Sequence, residues 1–193
     1  MTNHSYHVPV LLDASIEALK LGDGGGDWMD ATFGGGGHSR VIISKLNNEG
    51  RLFSFDQDPD AVANKIDDSR FNLVEANFRY AKQFLSLHGV KELSGMLADL
   101  GVSSHQFNTA DRGFSLRMDG PLDMRMNHSS GLSAAELIEE STWEELMVVL
   151  RIYGEVNRPD KLARTIKAAS DNSPIKTTND LIKAISKHAP SGR

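Results

Sequence analysis

The chain of 193 residues has no cysteine. That absence excludes a disulfide framework, a thiolate zinc site and chemistry at a cysteine nucleophile. No apolar run approaches the ~20 residues that span a bilayer, and the N-terminus lacks the basic-then-apolar order of a signal peptide. Positive charge is scarce too. Lys and Arg number 21 against 26 Asp and Glu, a net charge of −5, which taken alone argues against a nucleic-acid binder. The distribution says more: residues 1–156 hold 13 Lys and Arg against 23 Asp and Glu, whereas residues 157–193 hold 8 against 3. A basic end on an acidic body hints at a polyanionic partner, although a solvated helical surface accounts for it about as well on charge alone. With 39% hydrophobic and 24% charged residues, the chain has material for a packed core and is not disordered throughout. A cytoplasmic enzyme or binding protein with no membrane segment is the expectation.

The first hundred residues alternate helical and strand patterns. Leu11, Leu12, Ser15, Ile16 and Leu19 form one helical stripe, and four short apolar runs follow at Trp28–Phe33, Leu52–Phe55, Phe71–Val74 and Met96–Leu100. Between them lie amphipathic segments marked by Val41, Ile42 and Leu46, and by Tyr80, Phe84 and Leu85. Asp58 before Pro59 reads as a helix start, with Asp as N-cap and proline at the first helical position. Strands separated by helix-length segments predict βαβ units, hence an α/β fold with a parallel sheet. From about Asp111 the pattern changes. Arg112–Ser130 reads as a long ordered loop, and a helical region follows. Capping-box patterns stand at Ser133/Glu136 and Thr142/Glu145, and further helices are expected near 159–169 and 179–188. No strand signal follows Leu100. Two domains are expected: a core over 1–110 and a loop and helical region over 111–193.

The most informative segment is Asp30-Ala31-Thr32-Phe33-Gly34-Gly35-Gly36-Gly37-His38-Ser39, directly after a strand and before a helix. Glycines at such a turn permit unusual backbone angles and close approach of a ligand. The following helix N-terminus offers free N–H groups to an anionic moiety. Asp56 ends the second strand, 22 positions beyond Gly34, the spacing at which an acidic residue accepts hydrogen bonds from a ribose in doubly wound nucleotide-binding folds. Asp58 is read mainly as the helix cap. Asp99, at the end of the fourth strand, faces the same crevice if that strand lies beside the first. The turn leaves two nucleotide classes open. For NAD, Gly34-x-Gly36-x-x-Ser39 misses the last position of G-x-G-x-x-G/A. For S-adenosylmethionine, Asp30, Gly34 and Gly36 fit D-x-G-x-G-x-G, with Thr32 in the place of the first glycine.

Taken in order, the chain carries His7-Val8-Pro9-Val10-Leu11-Leu12, then Asp30-x-Thr32-x-Gly34-x-Gly36-Gly37-His38-Ser39, then Asp56-x-Asp58-Pro59. Ala98-Asp99-Leu100-Gly101-Val102-Ser103-Ser104-x-Gln106, Arg112-Gly113-Phe114-Ser115 and Asp119-Gly120-Pro121-Leu122-Asp123-Met124-Arg125-Met126 follow. This string closely resembles the bacterial 16S ribosomal RNA (cytosine-N4)-methyltransferase family from about His7 to at least Ala169, and the loop at 112–126 is its most specific part. The resemblance implies a cytoplasmic enzyme of the Rossmann-type methyltransferase fold, interrupted by a helical substrate-recognition domain. It implies methyl transfer from S-adenosylmethionine to N4 of a cytidine in 16S rRNA, with the small ribosomal subunit as partner. Gly34 belongs to the turn, and the cofactor contacts it implies are Gly36, Gly37, His38, Asp56 on the ribose, Phe78 beside the adenine, Asp99 and Gln106. Asp99 is also the candidate catalytic residue, near the cytosine amino group. Arg112, Arg117 and Arg125 are candidates to hold phosphate or a flipped nucleotide, with ion pairing to Asp119 and Asp123 as the alternative. No metal is called for, because the sulfonium is already an excellent leaving group.

Members of that family continue well past this point and return to the sheet with further strands. Four strands in the order 3-2-1-4 would leave the fourth, apolar on both faces, as an open edge. A fragment, or a chain that has lost part of its catalytic domain, is the expectation. A non-catalytic RNA- or ribosome-binding remnant is the alternative function, and a small-molecule methyltransferase is a third.

Overall fold

Leu52, Phe53, Ser54 and Phe55 are four consecutive buried residues, the mark of a strand covered on both faces of a parallel sheet. In the computed structural model, which describes residues 9–186, they lie in β2 (Gly50–Asp56). Around it stand β1 (Gly26–Asp30), β3 (Phe71–Glu75) and β4 (Gly95–Leu97), all parallel, in the order β3-β2-β1-β4. His7 and Val8 of the first motif, and residues 187–188 at the expected end of the last helix, lie outside the described residues.

Strand residues alternate between faces, which divides the core of this part in two. Trp28, Leu52 and Phe71 pack with Ile16 of α1 (Leu12–Leu19) and with Ile42 and Ile43 of α2 (Gly37–Lys45). Met29, Phe53, Phe55 and Val74 pack with Leu85 of α3 (Ala81–Leu87) and with Val90. Helices therefore cover both faces of the sheet, α1 and α2 on one and α3 on the other.

Three boundaries differ from those the sequence predicts. β1 ends at Asp30 rather than Phe33, although the Phe33 amide still donates to the Phe55 carbonyl at 2.9 Å. Asp58 does cap, accepting from the Asp60 amide at 3.1 Å, but the element it starts is a 3-10 helix over Pro59–Asn64. Arg40 donates to the Asn64 carbonyl and Asn64 donates to the Gly34 carbonyl, which draws the end of this short element onto the glycine turn. β4 spans three residues rather than Met96–Leu100. The Ala31 amide still donates to the Leu97 carbonyl at 2.8 Å, but the Asp99 amide turns to the Thr32 hydroxyl, so the ladder stops. Met96, within β4, and Leu100, beyond it, are exposed by 58% and 71%, against the expectation of a strand buried on both faces. Among the described residues β4 pairs with β1 alone.

The chain divides into two compact units, Met1–Ser104 and His105–Arg193. The second contains most of α4 (Ser104–Asn108), then a 3-10 turn at Ala110–Arg112 and the long loop, then α5 (Ala134–Glu140), α6 (Trp143–Ile152), α7 (Pro159–Asn172) and α8 (Thr178–Ile185). Both predicted capping boxes are present, and Thr177/Asp180 forms a third on α8. Leu122 from the loop packs into the helical core with Ile138, Leu146, Ala163, Ile166 and Ile175. The loop is pinned by a one-residue antiparallel bridge between Pro121 and Thr177. No described helix is long and apolar enough to cross a membrane.

Candidate active site

The site forms where β1 gives way to α2. Gly34 and Gly36 have φ of +50° and +76°, a region that side chains rarely occupy. A Cβ on Gly34 or Gly35 would meet nothing within 4 Å, whereas one on Gly37 would collide with the Pro9 ring. The turn therefore keeps open space on one side, while the segment from the first motif closes on the other. The first turn of α2 brings in His38, which is 5% exposed. Its Nε2 is buried with no hydrogen-bond partner among the described residues.

Asp30 is the anchor beneath this turn. It is fully buried, and burial pushes its carboxyl pKa up, opposed by hydrogen bonds from Ser39 and Thr32 and by the charge of His38. One oxygen accepts from the Ser39 hydroxyl at 2.6 Å and the other from the Thr32 amide at 3.0 Å. Ser39 Oγ lies 2.8 Å from Ser54 Oγ, and Ser54 is the residue opposite Asp30 in the β1–β2 register. A short hydroxyl–carboxylate contact of this kind suits an ionised acceptor. Sequence reasoning assigned Asp30 to the turn but did not find Ser39 and Ser54 as its partners.

Asp56 closes the turn from the neighbouring strand. Its Oδ2 accepts the Gly34 amide at 2.7 Å and its Oδ1 the Asp58 amide at 2.9 Å. Partial burial raises its pKa, and those amides oppose the rise. The Gln57 amide is a third partner, and the carboxylate, with about four acceptor sites, keeps room for a ligand hydroxyl. Phe78 follows β3, 42% exposed, on a segment tied to the Asp56 loop by Asn77 donating to Gln57 at 2.9 Å. Asp99, beyond β4, is exposed; its amide donates to Thr32 Oγ1 at 2.8 Å, and its carboxylate has no partner among the described residues. The first unit thus links the glycine turn directly to both aspartates expected beside it.

The remaining candidates lie in the second unit. Gln106 is buried on α4. Arg112 is also buried, and its guanidinium donates to the carbonyls of Arg125 and Met126 at 3.0 and 2.7 Å. Arg125 grips both oxygens of Asp123, at 2.9 and 2.5 Å, and donates to the Gly131 carbonyl at 2.9 Å. Asp119 accepts from Thr178 and from the Asn179 amide at the start of α8. Two of the three loop arginines therefore hold the loop together. Arg117 is the exposed one, and its guanidinium is without a partner among the described residues.

A glycine turn clasped by an acidic residue fits several nucleotide-binding families. A model of the MraW methylase family matches residues 4–193. The chain belongs to that family. As an MraW-type chain it is 50% identical over 183 residues to the "Ribosomal RNA small subunit methyltransferase H" of Christiangramia forsetii, covering 93% of this chain and 60% of that protein. The proteins of the same name from Flavobacterium johnsoniae and Cytophaga hutchinsonii are each 47% identical, over 189 and 190 residues. These matches cover 98% and 97% of this chain, and 62% and 63% of the relatives. The chain thus spans about 60% of the length of the curated relatives it matches.

Proposed function

We propose that this chain carries the cofactor site of an S-adenosylmethionine-dependent enzyme of the cytoplasm, which methylates the N4 amino group of a cytidine in the RNA of the small ribosomal subunit. The observation that supports it best is the Asp56–Gly34 clasp, which sets a carboxylate beside an open glycine turn at the carboxyl ends of β1 and β2, where such sheets bind nucleotides. The family and the names of its relatives favour a methyl donor over NAD.

The residues present suit that cofactor. Asp56 would accept from the ribose hydroxyls, Phe78 would stack on the adenine, and the first turn of α2 with the unpartnered His38 Nε2 would receive the carboxylate end. Gln106 is proposed as a further contact. The cofactor would supply an electrophilic methyl group on a sulfonium. Cytosine N4 is a weak nucleophile because its lone pair is delocalised into the ring. The unengaged Asp99 carboxylate, with the Leu100 and Gly101 carbonyls, would accept from the amino hydrogens and turn the lone pair toward the methyl. Asp99 or solvent then takes the proton released. Positioning of this kind supplies several kcal/mol. Arg117 is the loop arginine with a charge to offer RNA phosphate.

Calorimetric titration tests the reading. S-adenosylmethionine or its demethylated product is expected to bind. Asp56→Ala is expected to weaken binding by about 1–3 kcal/mol, the loss of a hydrogen bond to a charged group. Unchanged affinity in that variant removes Asp56 from the site, and NAD binding without adenosylmethionine binding overturns the cofactor class. Mapping N4-methylated cytidines in strains with and without the full gene tests the reaction.

A further inference from the structure

We infer that Thr32, whose amide is anchored on the buried Asp30, is a positioning residue whose hydroxyl holds the backbone of Asp99 and sets the acceptor edge of the site against the cofactor turn. The inference rests on the methyltransferase reading. Thr32 stands where the D-x-G-x-G-x-G turn has a glycine, which offers no hydroxyl. Here Oγ1 accepts the Asp99 amide at 2.8 Å and lies 3.5 Å from Asp30 Oδ1. A hydroxyl has one proton and two lone pairs. The firm link from Thr32 to the carboxylate is its own amide, which donates to Asp30 Oδ1 at 3.0 Å, so the Thr32 backbone is fixed while its hydroxyl accepts from Asp99.

Asp30 cannot drift, because it is fully buried and held through Ser39 and the Thr32 amide. The Thr32–Asp99 bond joins segments 67 residues apart at the point where β4 leaves its ladder with β1. It fixes the Asp99 main chain without using the Asp99 carboxylate, which stays available to the amino group. In-line transfer is sensitive to misplacement of about 1 Å, so loss of this bond acts on turnover. The cofactor clasp at Gly34 and Asp56 uses other atoms.

Thr32→Val keeps the branched shape and removes the hydroxyl, whereas Thr32→Ser keeps the hydroxyl. In the chain of residues 1–193, exchange of the Asp99 amide is expected to quicken about tenfold in Thr32→Val and stay near the parent rate in Thr32→Ser. In the methylation assay, kcat at saturating cofactor is expected to fall about tenfold or more in Thr32→Val. Affinity for S-adenosylhomocysteine should hold within about twofold and Thr32→Ser should restore turnover. Unchanged exchange and kcat would make Thr32 a packing residue and overturn the inference. An equal loss of cofactor affinity and kcat would also overturn it, by placing Thr32 in the cofactor turn. Thr32→Ala, judged by the same measures, replaces Thr32→Val if that variant loses its cooperative melt. A parent that binds no adenosyl cofactor defeats the methyltransferase reading instead, while amide exchange still decides the Thr32 link.

Discussion

Ser39 is an ordinary residue type doing an unusual job. Its hydroxyl sits fully buried between the Asp30 carboxylate and the Ser54 hydroxyl, so its removal leaves a carboxylate oxygen dry and short of a donor. Ser39→Ala is expected to cost about 1–3 kcal/mol of stability, read from the denaturant midpoint. Ser44→Ala, on the exposed side of the same helix, should shift it by less than about 0.5 kcal/mol. Equal shifts would mean that Asp30 finds its donors elsewhere. This trio was invisible in the sequence because no motif spacing connects the three residues; the β1–β2 register and the first turn of α2 bring them together. The place of Asp56 against the glycine turn was legible, since it follows from the spacing of 22 residues beyond Gly34. For the loop arginines the sequence left ion pairing to Asp119 and Asp123 beside RNA contact, and Arg125 does pair with Asp123. A segment without helix or strand must still satisfy its backbone carbonyls, and Arg112 and Arg125 serve that need. Their types alone could not separate this duty from RNA contact.

The helices of the second unit announce their starts. Ser133/Glu136 and Thr142/Glu145 were readable because a capping box is a local pattern needing no tertiary information. Thr142→Ala is expected to lower stability by about 1 kcal/mol, measured as a loss of melting temperature with unchanged cofactor affinity. The basic end of the chain is less uniform than its composition. Lys167 donates to the Ile138 and Glu139 carbonyls at the end of α5, and the Arg164 guanidinium lies 3.3 Å over the Trp143 ring. Arg158 and Lys161 are exposed without such duties. If this face meets RNA phosphates, neutralising Arg158, Lys161 and Arg164 together should flatten the salt dependence of binding to small subunits. Lys167→Gln should lower stability and leave that slope alone. A slope identical to the parent's in the triple variant would mark the face as solvated surface. The short β4 was the element least legible in sequence: its apolar run continues past Leu97, but one side-chain acceptor, Thr32, ends the ladder.

Across the molecule most of the displaced carboxyl pKa values are lowered in the second unit, whereas those of Asp30 and Asp56 in the first are raised. In the second, Asp119, Asp123, Glu136, Glu145 and Asp180 have pKa values held below the ordinary carboxylate range by hydrogen bonds from cap amides and hydroxyls, or from Arg125. Stability from a lowered carboxyl is full above its unfolded pKa and disappears as pH falls through that value toward the folded one. In the first unit, Asp30 and Asp56 are raised by burial. Their ionised forms cost stability above the folded pKa, and acid relieves that cost. Only Asp68, drawn down to about 2 by Arg70, pulls the other way there. Lowering the pH from about 5 to about 3 is therefore expected to loosen the second unit first, seen as earlier loss of amide-exchange protection over residues 133–185 than over the sheet. Simultaneous loss in both would show that the units unfold as one. The sheet's connectivity has a consequence in time. The bond from Gly34 to Asp56 closes 22 residues of chain, whereas that from Thr32 to Asp99 closes 67. Loop-closure entropy separates them by about 1 kcal/mol. On the ribosome, Asp56 is made well before Asp99, so a growing chain can close the Gly34–Asp56 clasp while the segment that carries Asp99 is still being synthesised.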